Sequence, residues 1–445
     1  MHFFLFFFYN LIVVPVLFAG AHIAALFKPK IAKGLRGRRR GLSGIRQGVS
    51  DWPADAPRIW FHVASMGEFE QAKPVLRALK QNLPDCRILL TFFSPSGYEQ
   101  AHHFPSADLI FYLPFDSYCR SRRFLQLVHP DVFVVIRHDL WPNYLWRLRR
   151  KRIPALLMDA SLSERRVRRL RPVAWAVRDV LKTFNEIHAI SAGNAESFRP
   201  FYPDPARMHV TGDTRYDQVY NRTQEPEKIA VLTESGLFQR SRCFIAGSVW
   251  PSDEKVVLPA LFDLLAAHAD YKAILVPHEL SPEHLQDLQA ALQGRRFSYS
   301  LLSRFADRPD DMQVLVVDRM GILANLYAFA ELVYVGGSFG PGVHSVLEPS
   351  AHGCMVLFGP RHRNSLEAIQ LKERKAGQSV QTSEEVAAVL QRWLIEPEAI
   401  RRAGSRALQL VHENLGASER IARRIQTFLP GPAPQGRPSS FDSNQ

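Results

Sequence analysis

The sequence predicts an α/β protein of two Rossmann-like domains facing a cleft, preceded by an N-terminal membrane-anchor helix. Three observations carry this. From residue 58 onward, short apolar runs alternate with amphipathic stretches, the pattern of a parallel sheet covered by helices on both faces. The rhythm pauses over a polar stretch near 221–236 and resumes from about 242. The first forty residues join an uncharged apolar run to a cationic one.

The N-terminal run, FFLFFFYNLIVVPVLFAGAHIAALF (3–27), carries no charge and, as a helix, is long enough to cross a hydrocarbon core of about 30 Å. The following KPKIAKGLRGRRR (28–40) holds seven Lys or Arg and no acid. A signal peptide has the opposite order. The positive-inside rule then places the body of the protein on the cytoplasmic side. Residues 1–40 read as anchor and basic flank, and Pro15 keeps open a second reading: a helix docked on the protein or lying in the membrane interface.

At 445 residues the chain is too long for one ordinary core, and 46% hydrophobic with 22% charged residues describes a folded globular protein. The formal charge of +13 points to an anionic partner. Ten Lys or Arg lie in RLRRKR (147–152) and ERRVRRLR (164–171), with sparse aromatics and no nucleic-acid module. Beside an anchor, an anionic membrane surface is the expected partner rather than nucleic acid, with a solvated basic face as the ordinary alternative. The four cysteines are scattered without a C-x-x-C pair, so neither a metal site nor a disulfide framework is expected.

Strands are expected at RIWFHV (58–63), RILLTFF (87–93), DLIFYL (108–113), DVFVVI (131–136), IPALLMDA (153–160) and EIHAIS (186–191) in a first domain, 41–220. After a linker, 221–236, CFIAGS, KAILVPH, QVLVVD, LVYVGGS and MVLFGP mark a second domain, 237–428. Residues 429–445, rich in Pro, Gly and Ser, read as a disordered tail.

Ligands of such sheets sit beyond the carboxyl ends of the strands. Ser65-Met66-Gly67-Glu68 follows the first strand. Gly67 allows close backbone approach to a ligand. Glu68 falls in the first helical turn, either as a carboxylate that the helix dipole keeps ionised or as a general base. Ser94 follows the second strand, as an anion contact or a plain cap. Arg137-His138-Asp139 follows DVFVVI, three ionisable side chains at one strand exit. Arg215, in VTGDTRYD, offers a planar fork for phosphate or a surface ion pair. In the second half, Ser248 and His278 follow strands. In YVGGSFGPGVHSVLEPSAHG (334–353), glycines 336, 337, 340 and 342 lead to a helix expected from about Ser345, a ready phosphate site. It is neither G-x-G-x-x-G nor a Walker A loop, so no NAD or ATPase site is indicated.

The segments ASMGEFEQAKP, TFFSPSGYE, YLPFD, LWPN, TGDTRYD, GSVWPSDE, VPHE, GGSFGPGVHSVLEPSAHG and FGPRHRN stand in an order that resembles the 3-deoxy-D-manno-octulosonic acid (Kdo) transferases, from about residue 3 to 425. The resemblance implies a GT-B glycosyltransferase at the cytoplasmic face of the cell inner membrane. It would move Kdo from CMP-Kdo to the phosphorylated disaccharide of the lipid A precursor (lipid IVA) in lipopolysaccharide biosynthesis, inverting the anomeric centre. No metal and no cofactor beyond the donor substrate are implied. Glu68 matches the general base and Arg215 a basic residue that stabilises the transition state. Donor contacts fall on Pro277, His278, Met320, Gly321, Ile322, Ser345, Val346, Leu347 and Glu348, the last toward the ribose. Acceptor or sugar contacts fall on Ser65, Gly67, Ser94, Arg137, Asp139, Ser338 and Asn364. The chain departs from the common family pattern at Arg137-His138-Asp139 (often Glu-Thr-Glu), at Pro277-His278 (often Pro-Arg) and at His344-Ser345 (often His-Asn). Another GT-B nucleotide-sugar enzyme, a UDP-sugar transferase or epimerase, is the alternative, and a non-catalytic membrane-surface protein on the same scaffold a remoter one.

Overall fold

A computed structural model describes residues 2–430 apart from Arg40, His138 and Pro203; the expected tail from 431 lies outside the described residues. Two compact units emerge, one comprising the residues up to Gln218 together with those from Gly416 on, the other Val219–Leu415.

The first unit begins with a continuous helical run: His2–Phe8, a π turn at Tyr9–Val13, then Val14–Phe27. Pro15 explains the π turn, since proline removes one amide donor and crowds the carbonyl four residues back. Phe4–Phe27 is long and apolar enough to cross a membrane, with mean hydropathy 2.2, and most of it is uncovered. One edge is nevertheless docked on the unit. The Tyr9 hydroxyl donates to Asp116 Oδ2 at 2.9 Å, and Asn10 and Asn143 exchange two amide bonds of 3.0 Å.

The first sheet contains β1 (Arg58–Val63), β2 (Arg87–Phe92), β3 (Leu109–Tyr112), β4 (Val132–Ile136), β5 (Ala155–Ala160), β6 (Glu186–Ala189) and β7 (Met208–Val210), all parallel, in the order β3-β2-β1-β4-β5-β6-β7. Helices that matter for the site are α1 (Met66–Asn82), α2 (Pro142–Lys151), α3 (Glu164–Leu170), α4 (Ala174–Leu181) and α5 (Thr214–Thr223). The central strands β1, β2, β4 and β5 are nearly continuous in apolar residues because helices cover both faces.

The second sheet contains β8 (Cys243–Val249), β9 (Lys272–Pro277), β10 (Tyr299–Leu301), β11 (Val314–Val316), β12 (Leu332–Val335), β13 (Met355–Phe358) and β14 (Gly377–Ser379), again parallel, ordered β10-β11-β9-β8-β12-β13-β14. Helices α6 (Pro251–Ala267) and α7 (Leu347–Ala351) follow β8 and the glycine-rich segment.

Two boundaries differ from expectation. The stretch 221–236 is helical, not an open linker: α5 runs to Thr223, short helices follow at Pro226–Ile229 and Ala230–Glu234, and Ile229 and Leu232 enter the second unit's core. The second unit ends at Leu415, not at 428. The last helix, α8 (Ala417–Gln426), belongs to the first unit because Ile421, Ala422 and Ile425 complete the apolar cluster around Val75 and Leu79 of α1. Arg420 also donates to the Thr211 carbonyl at 2.8 Å.

Candidate active site

In the first sheet the strand order reverses between β1 and β4, the switch point at which open parallel sheets bind ligands. Glu68 stands just beyond β1. Ser65 is the extended N-cap of α1, but its hydroxyl makes no capping bond. Glu68 Oε2 instead accepts the N–H of Ala64, the residue before the N-cap. Gly67 lies within the helical turn rather than in a strained bend, and a Cβ there would meet only Ser65 Oγ, at 4.0 Å. The space at Gly67, next to Glu68 in the chain, is open.

Burial raises the Glu68 pKa above the ordinary carboxylate value; the Ala64 N–H opposes this, Asp139 adds to it, and His62 and Arg137 oppose it. The expectation that the helix dipole governs this carboxylate is thus outweighed by desolvation, which leaves a stronger base.

His62, within β1, went unnoticed in the sequence because a lone histidine in an apolar strand looks like core. Its Nε2 lies 2.8 Å from Asp139 Oδ2, and its Nδ1 lies 3.0 Å from Thr91 Oγ1. Asp139 is therefore pinned beyond β4. Arg137, beside it, adopts φ +61, and among the described residues its buried Nε has no partner. Its charge acts on both Glu68 and Asp159. His138 lies outside the described residues.

Asp159, at the end of β5, also escaped the sequence reading. It is fully buried with φ +49, accepts the Thr214 N–H at 3.2 Å and the Thr214 hydroxyl, and is pushed up to about 7 by burial and then by Asp213. Asp213 in turn grips Arg215: Nη2 and Nε lie 2.6 and 2.9 Å from Oδ2. The Arg215 side chain keeps 39% exposure, so an ion pair holds it without hiding it. Ser94 caps the helix Pro95–Ala101 without a capping bond, its hydroxyl 3.0 Å from that of Ser96.

The second sheet reverses between β8 and β12. Near the end of β8, Ser248 (φ +55) puts Oγ 2.8 Å from His278 Nδ1. The His278 ring stacks against both Trp250 and His344, each centroid 4.4 Å away. Trp250 Nε1 donates to His344 Nε2 at 2.9 Å, and burial, with His278 next, lowers the His344 pKa. Pro277 is buried, Met320 is 75% exposed, Gly321 has φ +93 and Ile322 is buried at a helix start.

The glycine-rich segment behaves differently from expectation. Its Gly337 and Phe339 amides donate to Asp253, 2.9 and 3.4 Å away, so a carboxylate of α6 already occupies that cradle. Helix α7 starts at Leu347, two residues later than expected, and has five residues. Among the described residues, the amides of Ser345, Val346 and Leu347 have no acceptor, so the open amide donors lie after the glycines. Glu348, expected toward a ribose, is paired with Arg222 at 2.9 Å. Ser338 is fully buried, and Asn364 uses its side chain to clamp Val343, accepting at 3.2 Å and donating at 3.0 Å. Ser338 thus faces no open space, whereas Asn364 remains exposed beside that clamp. Among the described residues, no group of three His, Cys, Asp or Glu side chains is arranged to hold a metal.

Two doubly wound parallel units, each with polar side chains gathered at its switch point, make a fold of the GT-B type. The family model for "3-Deoxy-D-manno-octulosonic-acid transferase (kdotransferase)" matches residues 37–218. A 3-deoxy-D-manno-octulosonic acid transferase of Haemophilus influenzae is 27% identical over 376 residues, covering 83% of this chain and 87% of its own. That of Chlamydophila psittaci is 26% identical over 395 residues, covering 87% and 89%. Among solved structures, UDP-GlcNAc 2-epimerase from Neisseria meningitidis shares the fold, with a TM-score of 0.59 at 14% identity over 83% of this chain and 100% of that one. Residues 37–218 thus match the Kdo transferase family model and the chain is similar over most of its length to curated Kdo transferases, which indicates a glycosyltransferase.

Proposed function

We propose that the protein transfers Kdo from CMP-Kdo to the lipid A precursor at the cytoplasmic face of the inner membrane, inverting the anomeric centre without a metal. The observation that carries this reading is Glu68: a carboxylate of raised pKa at the β1 exit, with open space at the adjoining Gly67 and Arg137 close by. Glu68 takes the proton of the acceptor's primary hydroxyl. The oxygen then bonds to the anomeric carbon as the bond to the CMP phosphate breaks. CMP leaves as a phosphate monoester, whose growing charge calls for positioned donors. The second unit offers the Ser345, Val346 and Leu347 amides together with His278; within the first unit, Asp213 orients Arg215. The exposed N-terminal helix and the cationic 28–40 run support attachment to an anionic membrane surface.

Mass spectrometry of the product formed from CMP-Kdo and tetra-acylated lipid A precursor tests the reaction and counts the sugars added. Calorimetric preference for UDP over CMP overturns the donor assignment and favours a UDP-sugar enzyme.

A further inference from the structure

The first unit contains a mostly apolar cavity of about 580 Å³ that none of the expected catalytic steps uses. One wall is the docked N-terminal helix, through Leu5 and Tyr9; the others come from Leu140 in the loop before α2, from Leu162 before α3, and from Val177 and Leu181 of α4. Three arginines line the same space. Arg166 and Arg169 on α3 are exposed, so their charges lie where the cavity opens to solvent. Arg137 is half-buried, strained at φ +61 and, among the described residues, unpartnered at Nε, and it also acts on Glu68.

An apolar chamber ringed by cations suits a molecule with a hydrocarbon chain and phosphate groups. Arg137 belongs both to this chamber and to the surroundings of the candidate base, which ties the chain to the reacting hydroxyl. We propose that this cavity receives an acyl chain of the phosphorylated lipid acceptor, and that the N-terminal helix is part of the acceptor site as well as a membrane attachment. This rests on the acceptor reading above. Each buried methylene contributes roughly fourfold to affinity, so a chamber of this kind makes acyl length a strong determinant of turnover.

The test uses the full-length chain in phosphatidylethanolamine–phosphatidylglycerol vesicles with an acceptor that carries a diazirine on an acyl chain. Crosslinks mapped by mass spectrometry are expected on 157–181 and on the Leu5–Tyr9 edge, and to fall at least fivefold in Ala176→Trp, which fills the chamber. In parallel, the kcat/KM ratio of long-chain over short-chain acceptor is expected to fall at least tenfold in Ala176→Trp. Labelling confined to Leu11, Leu17 and Leu26 on the exposed helix face overturns the proposal, as does an unchanged ratio in a variant with wild-type melting. Equal displacement of the label by excess phosphatidylglycerol assigns the chamber to bulk lipid and also overturns it. A protein that labels in the chamber but transfers no sugar retains the cavity assignment and overturns the proposed reaction. Sugar transfer without chamber labelling does the reverse.

Discussion

His62 Nε2 and Asp139 Oδ2 lie 2.8 Å apart and join the ends of β1 and β4 across the point where the first sheet reverses. The pairing fixes a negative charge next to Glu68, while Arg137, two residues earlier, sets a positive one against it. Arg137→Ala is expected to raise the Glu68 pKa further and Asp139→Asn to lower it. A base must be ionised, so the acid limb of the kcat/KM profile moves to higher pH in the first variant and to lower pH in the second. Profiles that move together count against Glu68 as the titrating group.

Glu68→Gln separates catalysis from folding. Loss of a general base typically costs about 10² to 10⁴ in rate. The raised pKa means the folded state binds the proton more tightly than the unfolded chain, so Glu68 withdraws stability as pH rises from the ordinary carboxylate range toward its folded value. A neutral glutamine can still accept the Ala64 N–H. Its thermal midpoint at neutral pH should equal or exceed that of wild type, measured by calorimetry, while turnover is lost.

Asp116 gives a pH signature of its own. Burial pushes it from 3.8 up to about 7, against the pull of the Tyr9 hydroxyl and the Asn143 and Tyr144 amides. Its contribution to stability is fully present below about 4 and is lost as pH climbs to about 7. Melting temperatures recorded from pH 4 to 8 should show a shallower decline in Asp116→Asn. Tyr9→Phe should cost about 1 kcal/mol, the usual worth of a hydrogen bond.

In the second unit, Asp253 accepts from the Trp250 and Gly337 amides, each at 2.9 Å, and from the Tyr334 hydroxyl at 2.8 Å. Asp253→Ala leaves these buried donors unpaired, at a cost of about 3 kcal/mol or more. Gly336→Ala places a Cβ 2.2 Å from the Ser248 carbonyl oxygen and must push the β12 exit from the β8 exit. Both variants should lose CMP binding at least tenfold by calorimetry, and Asp253→Ala should also melt lower.

Much of the fold was legible because its long strands are buried on both faces and carry a run of β-branched and aromatic residues, as RIWFHV and DVFVVI do. Strands β7, β10 and β14 have three residues each, too few to show any period. Glu68, Arg137, Asp139 and Arg215 were visible as charges placed just after apolar runs or turns. Their partners were not: His62 meets Asp139 from 77 residues away, and Asp159 meets Thr214 from 55. A charged residue in an apolar strand gives no hint of which distant backbone will satisfy it. The assignment of α8 was hidden for the same reason, since its amphipathic face could cover either sheet.

That last helix has a consequence for biosynthesis. With residues 219–415 inserted between its parts, the first unit remains incomplete until Ile421 and Ile425 have been translated, whereas the second unit is one uninterrupted stretch of chain. At roughly 5–20 residues per second, the nascent first unit waits about 10–40 s with the α1 side of its core uncovered. A ribosome-stalled chain ending at 415 should therefore hold a protease-resistant second unit beside a first unit that remains digestible, and the hydrophobic face awaiting α8 is where a chaperone would bind.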